Sequence, residues 1–351
     1  MLPLRPDLED VEPYVSPQLP ARVRLNTNES PYAPPQALTD ALAREVEALS
    51  LNRYPDRDAR RLVDALAAKW EWPREGVWVA NGSNEVFMHL FLAYGGPGRS
   101  ALTFEPTYSL HSLIPRLALT EVARLPRDAS FAIDAGAAAR WIGEHRPDVV
   151  IVCSPNNPTG NSTPGDDVDA LCRASTGVVV VDEAYGEFAP EGRSVVPLLH
   201  RHDNLVVVRT FSKAWRLAGV RIGYMLASPE ITGPMAVVRL PYHLSSLSQA
   251  VGVAALEAEA DSLDAVGEIA SERDRIAGAL KELGLRVAPS DANFVLFELE
   301  DAPTVWKALY ERGVLVRSYE RSEVLRSWLR VTVGLSDEND EFLRTLEEVL
   351  A

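Results

Sequence analysis

The sequence predicts an α/β fold: a large domain with a mostly parallel central sheet flanked by helices, then a smaller α+β C-terminal domain. Three observations predict it. From residue 77 onward short apolar runs alternate with helical stretches, as strand–helix units require. Several of those runs, 149–153 and 178–181 among them, are apolar throughout, as strands buried on both faces are. Near residues 240–246 the alternation stops and a long helical stretch leads into a shorter mixed pattern. At 351 residues the chain also exceeds one ordinary domain.

Taken in order, residues 1–30 are proline-rich (Pro3, Pro6, Pro13, Pro17, Pro20) and weakly periodic, an expected N-terminal arm. Pro34-Pro35 opens a helix expected over 36–49, proline suiting a first turn. A turn at 52–56 precedes a second helix, 57–70, with Leu62, Ala65 and Leu66 at helical spacing. Strands are expected at 77–80, 101–104, 149–153, 178–181, 205–208 and 222–227, with helices at 86–94, 109–117, 135–145 and 165–174 between them. One long helical region, 248–283, carries the domain boundary. Beyond it, strands are expected near 286–288, 293–299, 314–318 and 329–333, and helices over 303–312 and 336–350. The expected division is an arm (1–30), a large domain (31–247) and a small domain (248–351).

The net charge of −15 argues against nucleic acid or an anionic membrane as partner, since both need a basic surface. No apolar run approaches the roughly 18 residues of a membrane helix, and the first residues lack a signal peptide's basic start and apolar core. Cys153 and Cys172 fit neither a zinc nor a redox spacing, so buried inert thiols, a cytoplasmic setting and no metal are expected.

The chemistry is read from the residues just after each strand, because open α/β sheets bind ligands at the carboxyl ends of their strands. The chain has 31 arginines and four lysines, Lys69, Lys213, Lys281 and Lys307. Three of the four sit in helical patterns. Lys213 alone leaves a buried strand, through Thr210-Phe211-Ser212. A desolvated lysine can lose its proton and attack a carbonyl, which arginine cannot. Asp182 ends a run of four valines, where a carboxylate is costly without a cationic partner. Gly82-Ser83-Asn84 opens a helix and offers free amides to a phosphate, although an ordinary helix cap reads equally well. Tyr108 can stack on a flat ring, and the turn 154–160 fixes an amide, although a plain Asn-Pro turn reads equally well. Arg221 lies eight residues beyond the lysine. An aldehyde-capturing amine, an acid for a ring nitrogen, donors for a ring oxygen and a phosphate cup together describe a site for pyridoxal phosphate.

These motifs, Ser-Pro-Asn-Asn-Pro-Thr-Gly (154–160), Asp-Glu-Ala-Tyr (182–185) and Ser-Lys-Ala-x-x-Leu-Ala-Gly-x-Arg-x-Gly-Tyr (212–224), resemble the fold-type-I aminotransferases of class I/II. Within that family the chain is similar, over essentially its whole length, to the histidinol-phosphate aminotransferase branch, particularly the actinobacterial form. The resemblance implies transamination of histidinol phosphate with 2-oxoglutarate, or glutamate in reverse, in histidine biosynthesis. Carried over, it implies that Lys213 holds the cofactor's aldehyde carbon and Asp182 pairs with the pyridine nitrogen. Tyr185 and Asn157 would bond the ring oxygen, and Tyr108 would stack on the ring. Gly82, Ser83, Asn84, Ser212 and Arg221 would hold the phosphate, joined by Tyr54 from the partner of a homodimer. Arg330, with Arg317, would take the substrate's anionic end near Asn28, and Tyr14 would close over it. Two departures stand out. Asn28-Glu29-Ser30-Pro31 replaces the usual Asn-Glu-Asn-Pro, removing one amide expected near the substrate, and the segment 318–329 is longer and more charged than the family's.

Other readings compete. The run 178–183 imitates a Walker B strand, but none of the four lysines follows a glycine, so a nucleotide triphosphatase lacks its phosphate loop. A non-catalytic binding protein on this fold has no use for Lys213, Asp182 and Tyr185 together. Aromatic amino-acid aminotransferases and threonine-phosphate decarboxylase-like enzymes stay open as relatives in chemistry.

Overall fold

The computed structural model describes residues 4–9, 11 and 18–351; Tyr14 lies outside the described residues. Its strands are β1 (Val23–Leu25), β2 (Val77–Ala80), β3 (Ser100–Glu105), β4 (Glu121–Pro126), β5 (Val149–Cys153), β6 (Val178–Asp182), β7 (Leu205–Thr210), β8 (Gly223–Ala227), β9 (Phe294–Glu298), β10 (Val314–Ser318) and β11 (Trp328–Thr332). The larger sheet has seven strands in the order β2-β8-β7-β6-β5-β3-β4. β8 is antiparallel to both its neighbours, and every other pairing in that sheet is parallel.

Both faces of this sheet are covered, and the period of two shows it. Val150, Val152, Val179, Val181 and Val207 belong to one apolar cluster, while the alternate residues Val149, Ile151, Val180, Val206 and Val208 belong to another. Helices Ala135–His145 and Gly165–Ala174 pack together beside the strands they connect. β4 escaped the sequence reading for a physical reason. It is an edge strand with no buried residue, and its charged Glu121 and Arg124 stand where an inner strand would be apolar.

The smaller sheet runs β1-β10-β11-β9. Three sequence expectations change here. The arm is not wholly apart from the C-terminal unit, because β1 pairs parallel with β10, Val23 opposite Val314. Its three residues are too few to show a pattern, although Val23 and Leu25 are buried and Arg24 exposed. The strand expected at 286–288 is reduced to one bridge, Val287 to Phe297. The long helical region is three helices, Ser246–Glu257, Glu259–Ser262 and Val266–Glu282. Ser262 and Asp264 lie at the second break, residue types that bond their own backbone in competition with a helix.

Candidate active site

The carboxyl ends of β3, β5, β6 and β7 face β10 and β11 across a cavity of about 470 Å³. β1 delivers Asn26, Thr27 and Asn28 to the same cavity. Thus the N-terminal segment, the large sheet and the small sheet each contribute a wall.

Lys213 lines this cavity and donates from Nζ to the Thr27 carbonyl at 3.2 Å. Burial lowers its pKa from 10.5 to about 8, helped by the positive Arg330 and Arg221 and opposed by Glu29 and Asp182. A neutral amine is therefore within reach near neutral pH, the state in which lysine is a nucleophile.

Asp182, at the end of β6, is buried. Its Oδ2 lies 2.9 Å from His111 Nε2, and its Oδ1 accepts from the Ala184 amide at 3.1 Å. The sequence reading required a partner for this carboxylate and did not find it. His111 supplies it from the first turn of helix Leu110–Leu117, three residues after Tyr108. No local signal marked it, because Tyr108 precedes the helix and the partnership with Asp182 joins residues 71 apart in the chain. The His111 and Tyr108 rings meet edge-on, 5.5 Å apart and 87° inclined.

The phosphate-cup candidates converge at the start of helix Ser83–Tyr94. Gly82 has φ +84°, and a Cβ there would lie 2.4 Å from Arg221. A Cβ on Gly223 would lie 2.3 Å from the Ser83 amide nitrogen. Both positions must be glycine for Arg221 and the helix amides to approach this closely. Arg221 donates to Ser212 Oγ at 3.3 Å, and Ser212 Oγ accepts from Thr210 at 3.0 Å. Ser83, Asn84, Ser212 and Arg221 all line the cavity. Such donors gathered at a helix N-terminus fit a phosphate.

Tyr185 and Asn157 also line the cavity, and Asn157 Nδ2 donates to Tyr185 Oη at 3.3 Å. Burial pushes the Tyr185 phenol well above its usual range, so it stays protonated. Arg330 donates to Asn157 Oδ1 at 2.6 Å and to the Asn26 carbonyl at 2.8 Å, and its guanidinium lies 5.1 Å from the Phe294 ring centre. Its Nε is buried with no hydrogen bond. Arg317 sits directly opposite Arg330 across the β10–β11 ladder and lines the same cavity. Tyr319, Ser322 and Leu325, from the charged segment 318–329, form part of the wall beside it.

Asn28 and Ser30 stand differently from the sequence reading, while Tyr54, expected at the partner's site, lies away from this chain's own. Tyr54 is not on the cavity wall; it is 81% exposed, with its ring stacked on Tyr242 at 4.5 Å. Asn28 lines the cavity, yet both its side-chain polar atoms are engaged by Tyr185 and Thr332. Ser30, at the departure from the family motif, is not among the lining residues and accepts from the Tyr32 amide.

The sequence profile of the aminotransferase class I and II family matches residues 21–346. The chain is 47% identical over 352 residues to the histidinol-phosphate aminotransferase of Mycobacterium sp. (strain JLS), covering 97% of this chain and 92% of the relative. It is 46% identical over 357 residues to the one from Corynebacterium efficiens, covering 99% and 95%. A solved structure of the Sinorhizobium meliloti histidinol-phosphate aminotransferase, in complex with pyridoxal-5'-phosphate, superposes with a TM-score of 0.89. It is 23% identical, covers 99% of this chain and 97% of that one, and speaks to the fold.

Proposed function

Because the chain belongs to the class I and II aminotransferase family, we propose that it is a pyridoxal-phosphate-dependent transferase moving the amino group of histidinol phosphate to 2-oxoglutarate, a step of histidine biosynthesis. The cofactor fits the residues present. Gly82, Ser83, Asn84, Ser212 and Arg221 would hold its phosphate, Tyr108 its ring face, Asp182 its ring nitrogen, Tyr185 and Asn157 its ring oxygen, and Lys213 its aldehyde carbon. When bound, pyridoxal phosphate supplies an electron sink for the bond breaking at the amino donor's α-carbon.

The chain's own groups do the rest. Lys213, its pKa lowered to about 8, takes the proton from the donor's α-carbon and returns it on the other side of the transfer. Asp182, held on both oxygens, keeps a proton on the ring nitrogen. Tyr185, still protonated, donates to the ring oxygen.

The observation that carries the substrate reading is the pair Arg317 and Arg330, opposed across an antiparallel ladder on the cavity wall. Two guanidiniums on one cavity wall suit a dianion, and phosphate matches the guanidinium fork. One half-reaction brings a phosphate, the other carboxylates, and the same pair serves both. The curated relatives' names, at 46–47% identity, agree with this choice.

We assign the active unit as a homodimer. Tyr54 and Tyr242 stack on the surface, and Leu51, Val237 and Leu240, close to them in sequence, are exposed apolar residues of the kind a docking face carries. A second copy seated there would bring Tyr54 to the neighbouring phosphate cup. No described helix is long and apolar enough to cross a membrane, and both cysteines are free and buried, which agrees with work in the cytoplasm.

Arg330→Lys tests the proposal. It keeps the charge and loses the fork, so histidinol phosphate and 2-oxoglutarate should each bind more weakly by roughly 1.5–3 kcal/mol while the cofactor stays bound. Unchanged KM for both would remove Arg330 from the substrate site.

A further inference from the structure

Asn28 adopts a left-handed conformation, φ 56°, and is buried to 1% exposure. Asparagine tolerates that backbone better than most residues. Its position is fixed by Thr332, two residues beyond Arg330 on the same face of β11. Thr332 Oγ1 accepts from the Asn28 amide at 3.0 Å, so its own hydrogen is free to be donated, and it lies 2.9 Å from Asn28 Oδ1. With Oδ1 committed as an acceptor, Asn28 must turn Nδ2 towards Tyr185, where it donates to Oη at 2.9 Å.

The other side of Tyr185 has the same polarity. Arg330 can only donate, so Asn157 Oδ1 accepts from it and Asn157 Nδ2 faces Tyr185 Oη. The phenol oxygen thus receives two donors, both fixed from β11. Its hydrogen cannot point at either and is left to point into the cavity. Thr332, Asn28, Tyr185, Asn157 and Arg330 form a closed ring through one strand of the small sheet.

We propose that Thr332 and Asn28 are positioning residues that lock Tyr185 as a hydrogen-bond donor towards the cofactor's ring oxygen. The inference rests on the cofactor assignment under the proposed function and not on the identity of the amino donor. Without Thr332's hydroxyl the Asn28 amide can flip, present its oxygen to Tyr185 and draw the phenol's hydrogen away from the cavity. The charged and titratable groups around Tyr185 include Arg330, Cys153 and Tyr108, with Lys213 Nζ 5.9 Å from its ring centre, and neither Thr332 nor Asn28 carries a charge.

The test is the pH titration of the visible absorbance of the cofactor-loaded protein, with no substrate present. A donor to the ring oxygen stabilises its negative charge and weakens its hold on the neighbouring proton. Losing that donor raises the midpoint. Thr332→Val and Asn28→Gly should each raise it by roughly half a unit to one unit, the equivalent of one neutral hydrogen bond. Thr332→Ser, which keeps the hydroxyl, should titrate with the wild type. In a Tyr185→Phe background neither change should move the midpoint further. Asn28→Gly retains the backbone freedom of φ 56°, so it decides the matter if Thr332→Val folds poorly. Wild-type midpoints in Thr332→Val and Asn28→Gly, or equal shifts in the Tyr185→Phe background, would overturn the proposal. A preference for an amino donor other than histidinol phosphate would touch the substrate reading and leave this one standing.

Discussion

Arg317 and Arg330 stand directly opposite each other across the β10–β11 ladder, two guanidiniums on one wall of one cavity. This geometry supports the proposal that Arg317 binds substrate. Arg317→Gln should weaken histidinol phosphate by about 1–3 kcal/mol and phenylalanine, which lacks the phosphate, by less. KM values for the two donors, compared between variant and wild type, check it. An equal loss for both would make Arg317 structural.

Lys213→Ala should abolish transamination in a protein that still folds, since among the four lysines only Lys213 lines the cavity. More than a trace of turnover would show another group moving the α-proton.

Covalent loading of the cofactor-free protein should track the titration of Lys213. Its pKa is lowered to about 8, so the reactive neutral amine accumulates as pH rises through that value and not through 10.5. Below it, the rate of appearance of the visible band should fall about tenfold per pH unit. Arg330 is a positive neighbour, so Arg330→Gln should favour the ammonium and move the midpoint upward. A rate that is flat from about pH 6 to about pH 10, or a downward shift in Arg330→Gln, contradicts this.

Asp182→Asn should fold and lose most activity, because an amide cannot hold a proton on the ring nitrogen. His111→Asn should cost less, as Asp182 keeps the Ala184 amide. Steady-state kcat for the two variants orders them.

Mixing a Tyr54→Phe chain with a Lys213→Ala chain should produce hybrid dimers with one site complete in both residues. Recovered activity above either parent supports Tyr54 acting across the interface. No recovery removes it from the site, leaving its stack on Tyr242 as a surface contact.

Much of this was legible because both the fold and the site leave local marks. Continuous valine runs specify strands covered on both faces, and small or charged residues just after them specify the ligand edge, which is how Asp182, Thr210 and Lys213 were found. What escaped is what two distant segments create together. β1 is three residues long and gains its meaning only by pairing with β10, far along the chain, Val23 against Val314. Asn28 reads as a polar turn until Thr332 and Tyr185 close around it. His111 reads as one more helical residue until Asp182 meets it. β4, an edge strand, lacks the buried apolar residues that mark the inner strands.

The most direct measurement is kcat/KM for histidinol phosphate and for phenylalanine as amino donors, with 2-oxoglutarate as acceptor and the wild-type protein. Anchoring a phosphate between Arg317 and Arg330 predicts a preference for histidinol phosphate of about tenfold or more, the equivalent of one charge-assisted hydrogen bond. Equal values, or a preference for phenylalanine, would contradict the account and make the enzyme an aromatic aminotransferase.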